Sequence, residues 1–600
     1  MKRVWTQLVE IVGRWPFPFV AALVGVVTGG VFAAYAPVTW KLATQVCPFA
    51  DWDGFWLAAK PGPFSYLGGA LRWCSDLLTA SGVSAAPWAF AVAGVVGAAG
   101  VLRVAFPRTL RRGPGLVFAA LPAFVLAGPL PLFSTQIWTL HDSGLMWRNL
   151  LGLLVMAGFV ALGRPLFRRL NVWAATALLF TLACVLTVPC GFYASLGAGV
   201  AFALGLGRPR DGRAWAGGVA GLVFLAVLPR FVGDLLYDNL SVENAYLHAQ
   251  AVISWCRFSA LNVLNVGCVA AFAALAACEA CPAVLDGRLR RFAPLLVLLV
   301  AGLGVGVAGR CRLDVRPHFV VERLALQNRF AEILDYEKDR LQPLRMEVAW
   351  RLVAAHRTGQ LLERLFDTPI LTSQETTTAE EYMMDGHELF FAWGLLNPAR
   401  LWAHQIAAEK GWQARHFQLL GDRALVTGEW ALAARKYRQL ARCPFFRTFA
   451  QQRLDFLRTH RVGEVPPDLQ AIAQDFKAIA EDGESQTRLF WDSQDNAEQA
   501  IYGRFAQLKN CPRRLLPAFF AALLLRKDYA VLLRNQSALK TLYPNGVLPA
   551  SVRQALLVAT RTETDEVRAF RAALAAAGND QDAFLAHWGR SFHYYAECVK

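Results

Sequence analysis

Apolar and polar positions follow two different patterns along this chain. From residue 16 to residue 309, runs rich in Ala, Val, Leu, Gly and Phe succeed one another. Each approaches the roughly 20 residues that a helix needs to cross a bilayer. Spans are therefore predicted near 16–38, 87–106, 115–133, 148–163, 172–191, 193–207, 214–232, 259–280 and 293–309. The run at 193–207 is short and also reads as a re-entrant segment. Between the first two spans lies a long loop, 39–86. Within it Phe64, Leu67, Leu71, Cys74 and Leu78 keep helical spacing, while Ser65, Arg72, Ser75 and Asp76 fill much of the rest. That pattern predicts a helix lying on the membrane surface.

From about Asp314 the apolar runs give way to amphipathic helices with charged faces. Phe417-x-x-Leu420-Gly421-x-x-Ala424, followed by Gly428, Ala433 and Tyr437, has the tetratricopeptide-type spacing. In such units small residues let two antiparallel helices approach while aromatics fill the seam. Ala354-Ala355-x-x-x-Gly359-Gln360-Leu361 reads as the end of one helix and the start of another. The expected fold is all-α, with a polytopic bundle of about nine spans over 1–310 and an external, tetratricopeptide-like helical array over 311–600.

Charge sharpens this picture. The chain carries 61 Lys and Arg against 45 Asp and Glu, a formal net charge of +16. No basic stripe with interleaved aromatics accompanies the excess, so nucleic acid is not an expected partner. The basic residues instead cluster after alternate spans: Arg108, Arg111 and Arg112; Arg164, Arg168 and Arg169; Arg208, Arg210 and Arg213; Arg288, Arg290 and Arg291. The other exits carry Asp51 and Asp53, His141 and Asp142, then Asp234, Asp238 and Glu243. This alternation predicts a cytoplasmic N-terminus, retained as a first helix, and an external C-terminal half. Trp40, Trp52, Trp56, Trp73, Trp138 and Trp147 lie near the external boundaries, where indole rings favour the headgroup level. The expected location is a bacterial inner membrane, within the cell envelope.

Several segments together resemble an uncharacterised bacterial membrane-protein family with a multi-span first half and a repeat-like second half. They are Lys60-Pro61-Gly62-Pro63-Phe64-Ser65-Tyr66-Leu67, Val321-Glu322-Arg323-Leu324-Ala325-Leu326-Gln327, Arg357-Thr358-Gly359-Gln360-Leu361 with Leu365-Phe366, Leu548-Pro549-Ala550-Ser551-Val552-Arg553-Gln554-Ala555 and Trp588-Gly589-Arg590-Ser591-Phe592-His593-Tyr594-Tyr595. That family has a second glycine where this chain has Pro63, so a different turn is expected there. The resemblance implies an architecture and no activity. A more distant likeness concerns the order of parts: one span, an acidic outer loop with an interfacial helix, many spans and an external domain. In this the chain resembles membrane glycosyltransferases of the GT-C type, which use lipid-phosphate-linked sugars and carry an acidic pair in the first loop. Asp51-Trp52-Asp53 matches that pair.

The resemblance implies that Asp51 or Asp53 activates an acceptor as general base. Some such enzymes instead hold a divalent cation there on hard oxygen ligands. Solvated loop carboxylates are the alternative, and Asp53 is the first choice because Gly54 allows close backbone approach. Arg148 and Arg230, at outer span ends, are candidates to fork onto a lipid phosphate, with snorkelling to ordinary headgroups as the alternative. Asp234 and Asp238 are candidate substrate-binding groups from a later outer loop. Cys47 and Cys74 share the first loop and can pair if that compartment oxidises. Cys278-Glu279-Ala280-Cys281 is a lone C-x-x-C without further zinc ligands nearby. The Gly197-Ala198-Gly199 run reads as close helix packing. No G-x-x-x-x-G-K-[ST], H-E-x-x-H or G-x-S-x-G sequence occurs. The functional expectation is a transferase that uses a polyprenyl-phosphate sugar, or a membrane-anchored scaffold whose helical array binds envelope proteins.

Overall fold

A computed structural model describes residues 17–44, 69–81, 87–110, 121–127, 145–206, 227–231, 271–280, 316–338, 340, 343–370, 379–410, 412–481, 497–508, 511–577 and 581–599. These residues are helical with connecting turns, and no strand occurs among them. They divide into two compact units, one within 1–314 plus 442–445 and one within 315–441 plus 446–600.

Unit 1 begins with α1 (Phe17–Ala34) and α2 (Ala36–Thr44). α1 occupies the predicted span 16–38, whereas α2 lies mostly in the predicted first loop and is bent from α1 by 75°. Pro37 explains the bend, because its ring cannot accompany the carbonyl four residues earlier in a straight helix. α3 (Gly69–Ala80) packs against α2. It is followed by α4 (Pro87–Ala105), α5 (Leu121–Ala127), α6 (Leu145–Arg169), α7 (Val172–Cys190), α8 (Phe192–Leu206) and α9 (Ala271–Ala280). α4, α6 and α7 are long and apolar enough to cross a membrane, and the bent α1–α2 pair makes a fourth if taken as one span. The predicted spans at 115–133, 214–232 and 259–280 are described only in part, and 293–309 lies outside the described residues.

The expected amphipathic helix is present as α3 over Gly69–Ala80, but Ser75 of its predicted polar positions is buried and Asp76 half-buried. Ser75 and Thr79 are buried with Leu71 where α3 packs on α6 and α7. The Thr79 hydroxyl donates to the Ser75 carbonyl at 2.7 Å, so burial leaves its proton satisfied. α8 lies along α6 with small residues at the contact. A Cβ on Gly197 would sit 2.7 Å from the Met156 Cα, and one on Gly163 would sit 2.9 Å from the Ala201 Cβ. The glycine run is thus a packing surface.

Unit 2 is built from helix pairs around α20, an apolar helix buried over most of its length. Its elements are α10 (Arg316–Leu326), α11 (Phe330–Asp335), α12 (Arg345–Arg357), α13 (Ala379–Ala392), α14 (Leu396–Lys410), α15 (Ala414–Val426), α16 (Trp430–Ala441), α17 (Arg447–Thr459), α18 (Gln470–Glu481), α19 (Ala497–Ala506) and α20 (Leu516–Leu525). α21 (Tyr529–Arg534), α22 (Gln536–Leu542), α23 (Ala550–Thr560), α24 (Asp565–Ala576), α25 (Gln581–Trp588) and α26 (Phe592–Cys598) complete it. α20 is hydrophobic all round, the pattern of a helix enclosed by others, and Phe519, Phe520, Leu523 and Leu524 are buried in the core.

α15 and α16 form the hairpin that the 417–437 spacing predicts. Ala424, Ala433 and Tyr437 are fully buried, and a Cβ on Gly421 would lie 2.6 Å from the Tyr437 ring. The expectation after Gly359 is corrected. Residues 361–366 form turns and bends, and the next helix among the described residues begins at Ala379. Pro369 disfavours the helical conformation at Thr368, and Ser551 donates its hydroxyl proton to the Leu362 carbonyl at 2.5 Å. Three of the motif segments meet here. Phe366 contacts the Phe592 ring at 5.6 Å, and the Phe592 amide donates to Gln554 Oε1 at 2.8 Å.

Candidate functional site

In unit 1, the bend between α1 and α2, the end of α3 and the first turn of α6 meet at the end from which residues 45–68 depart. Thr39 and Leu42, Thr79 and Ser81, and Met146 and Trp147 line a cavity of about 10 Å³, room for about one water. The hydroxyl protons of Thr39, Thr79 and Ser81 already go to helix carbonyls, at 3.0, 2.7 and 2.5 Å. Their remaining lone pairs suit a donor such as water rather than an anion.

Two cations are buried in the elements that line this cavity. Lys41 in α2 is 4% exposed and Arg148 in α6 is 2% exposed. Their helix positions differ in consequence. Lys41 lies in the last turn of its helix, where the macrodipole favours a cation. Arg148 lies in the first turn of α6, where the dipole disfavours one. Next to it, Asn149 Oδ1 accepts from the Tyr193 hydroxyl at 2.9 Å and ties α6 to α8. Charged groups within apolar helices are costly and mark functional positions by default. Arg148 was legible as a candidate in the sequence. Lys41 was not, because in a list of residues it resembles any lysine just beyond a span.

The opposite, basic end of unit 1 holds a buried carboxylate that the sequence shows only as a filler of C-x-x-C. Glu279 in α9 is 1% exposed. Its Oε2 accepts from the Thr109 amide and the Thr109 hydroxyl, each at 2.8 Å, and its Oε1 accepts from the Arg108 amide at 3.2 Å. The Arg164 guanidinium completes the set. One side chain thus fastens the ends of α4, α6 and α9. The available signal was a single acid inside an apolar run flanked by basic clusters.

The other predicted site residues distribute as follows. Asp51, Asp53, Asp234, Asp238 and Cys47 lie outside the described residues. Arg230 is half-buried within the helical stretch 227–231. Cys74 carries a free thiol in α3, and Cys278 is buried in α9 with its thiol also free. Among the described residues no group of three or more His, Cys, Asp or Glu is placed to hold a metal ion.

The prominent charged clusters of unit 2 are joints. Asp475 in α18 accepts from His356 Nε2 at 3.1 Å, Arg357 at 2.6 Å and Arg514 at 2.5 Å. Burial alone would raise its carboxyl pKa, but these partners hold it below the usual range. Asp422 in α15 accepts from the Tyr437 hydroxyl at 2.6 Å and from Arg453 at 3.0 Å. Arg453 also forks onto Asp468 at 3.0 and 2.5 Å. Both carboxylates are enclosed by the groups they tie together.

Helical described residues, with helices long and apolar enough to cross a membrane in one unit and a second helical unit beside it in sequence, are the class these observations define. The comparisons place it further. Residues 62–596 match the model of the family described as "Family of unknown function (DUF6057)", and the chain belongs to that family. No curated protein and no solved structure matches the chain.

Proposed function

We propose that the protein is an integral-membrane enzyme that holds a lipid-linked phosphate at the first-loop end of unit 1 and transfers a sugar from it. This is the chemistry of a GT-C-like glycosyltransferase. The observation that carries the reading is Arg148, a guanidinium buried in an apolar helix and set in its first turn. A charged group set within an apolar helix marks a functional position by default. A guanidinium fork suits phosphate in particular.

In this reading the acceptor hydroxyl attacks the anomeric carbon, a carbon–oxygen bond forms, and the bond to the phosphate oxygen breaks. Asp53, or Asp51, takes the hydroxyl proton or holds a divalent cation. Arg148 and Lys41 balance the charge that grows on the departing phosphate. Arg230, Asp234 and Asp238 belong to the substrate-binding surface. The proposed orientation puts the N-terminus in the cytoplasm, the basic end of unit 1 at the cytoplasmic face and the C-terminal half outside a bacterial inner membrane. A second reading, a scaffold for envelope proteins built on a tetratricopeptide-like array, is favoured by the α15–α16 hairpin, since helical arrays commonly present binding surfaces.

Mass spectrometry of lipids retained by the purified full chain tests the choice. Wild type is expected to retain a polyprenyl-phosphate sugar, Asp53→Asn to accumulate it, and Arg148→Gln to lose it while remaining folded. Bulk phospholipid alone in all three folded samples would sink the transferase and leave the scaffold.

A further inference from the structure

In unit 2, α14, the start of α15 and α16 present a strip that is cationic and aromatic at once. Arg400 and His404 stand one helical turn apart on α14 and are both exposed. Leu432 and Lys436 stand one turn apart on α16, with exposed Arg435 beside them. Trp412 lies between the two helices and is 37% exposed. Its ring stacks on Phe417 at 5.1 Å, His404 stands perpendicular at 5.6 Å, and Lys436 Nζ lies 4.5 Å above its centroid.

No carboxylate answers these charges among the described residues. The nearby acids are engaged elsewhere: Glu388 accepts from Arg415 at 2.7 Å, and Glu429 accepts from Arg423. Burial lowers the pKa of Lys436 and of His404, and the neighbouring cations push the same way, Arg435 on Lys436, and Lys436 with Arg400 on His404. The strip is therefore a place where cations repel one another, which an approaching anion reverses.

We propose that this strip is a docking site for an acidic peptide segment of a partner protein, with Trp412 as its apolar anchor. Charge complementarity requires an anionic occupant. Lys436 Nζ also lies 5.5 Å from the Phe417 centroid, so the cation and Phe417 stand on the same side of the indole. Trp412 and Leu432 are the exposed apolar residues of the strip, at 37% and 36%, and an apolar side chain set between carboxylates answers them where a uniform polyanion does not. The α15–α16 hairpin is also the kind of helical unit that presents a binding surface to other proteins. Trp and Arg are also the residues that most often dominate binding energy at protein interfaces. The site shares no residue with unit 1, so it stands or falls independently of the proposed transferase.

The test uses the full chain in detergent and a fluorescein-labelled twelve-residue peptide of Glu with one central Leu, read by anisotropy at low salt. Wild type is expected to bind. Trp412→Ala is expected to weaken binding about tenfold, the loss typical of an anchor. Arg435→Glu, at an exposed position that the fold does not need, is expected to weaken it similarly. Arg534→Glu, on a different exposed helix, is expected to leave binding unchanged. Absence of binding by wild type overturns the proposal, as does equal binding by Trp412→Ala and Arg435→Glu. A size-matched oligouronate that binds more tightly than the peptide at the same residues also overturns it and assigns the strip to an anionic glycan.

Discussion

Asp475 is the most heavily committed side chain in unit 2. It is fully buried and takes hydrogen bonds from His356 on α12, Arg357 on α12 and Arg514 just before α20. Arg357 spends a second donor on the Ala392 carbonyl. Close by, Gly394 has φ +76, and a Cβ there would lie 2.9 Å from the Phe476 amide nitrogen and 3.0 Å from the Asp475 Cβ. Neutralising the carboxylate leaves two guanidinium groups without their shared anion, and removing one partner of a buried pair costs about 3–5 kcal/mol. Asp475→Asn is expected to lower the thermal midpoint of the full chain strongly at pH 7. The sign with pH follows from the depressed pKa. A carboxylate held below its unfolded value of about 3.9 contributes stability above that value and loses it as pH falls through the folded pKa. The gap between wild type and Asp475→Asn should therefore stay constant from neutral pH down to about 5 and close only below about 4. A gap that already closes near pH 6 would show that the Asp475 carboxyl is not held below its usual range. Asp422 runs the other way. Burial holds its carboxyl above the usual range despite Arg453, so protonating it favours the folded state.

At the scale of elements, α15 and α16 depend on Gly421 facing Tyr437. Alanine is the better helix former by about 1 kcal/mol, so Gly421→Ala would stabilise an isolated helix. In this hairpin the added methyl meets the Tyr437 ring at 2.6 Å, and the ring is pinned through its hydroxyl to Asp422. Overpacking of this kind costs about 1–3 kcal/mol. Gly421→Ala is expected to lower the thermal midpoint, and adding it to Tyr437→Leu should cost less than adding it to wild type. Additive losses would mean that the two positions are not in contact. This hairpin was legible in the sequence because its contacts recur within two dozen residues at fixed spacing. The segment after Gly359 was not, because its conformation is settled by Ser551, 189 positions away, taking hold of the Leu362 carbonyl. Ser75 misled for a related reason. Helical periodicity sets Ser75 on the polar side of α3, but it is buried together with Leu71 where α3 packs on α6 and α7. Glu279 shows the limit most clearly: its partners Arg108 and Thr109 lie 171 and 170 residues away, so the one local signal, a single acid in an apolar run, does not name them.

For the whole molecule, the side of the membrane reached by the C-terminal half depends on how many times the chain crosses, and α7 and α8 are where that count is most exposed to error. α8 has 15 residues, about 22 Å at roughly 1.5 Å per residue, short for the hydrocarbon core. Its contacts nevertheless track α6 in parallel. Gly152 faces Tyr193, Gly163 faces Ala201, and Phe167 faces Gly205, three points that advance together toward the basic end. α7 joins the end of α6 to the start of α8 and so must return over the same depth. In the proposed orientation the two helices add two crossings and cancel in parity, which a re-entrant α8 would not. The proposed orientation therefore predicts that a reporter fused after Lys600 is active as an exported phosphatase and dark as a cytoplasmic fluorescent protein. Deleting 170–206, which removes both helices, should leave that result unchanged, whereas deleting 191–206 alone should reverse it. A fluorescent cytoplasmic fusion on the intact chain would contradict the proposed exterior position of the C-terminal half.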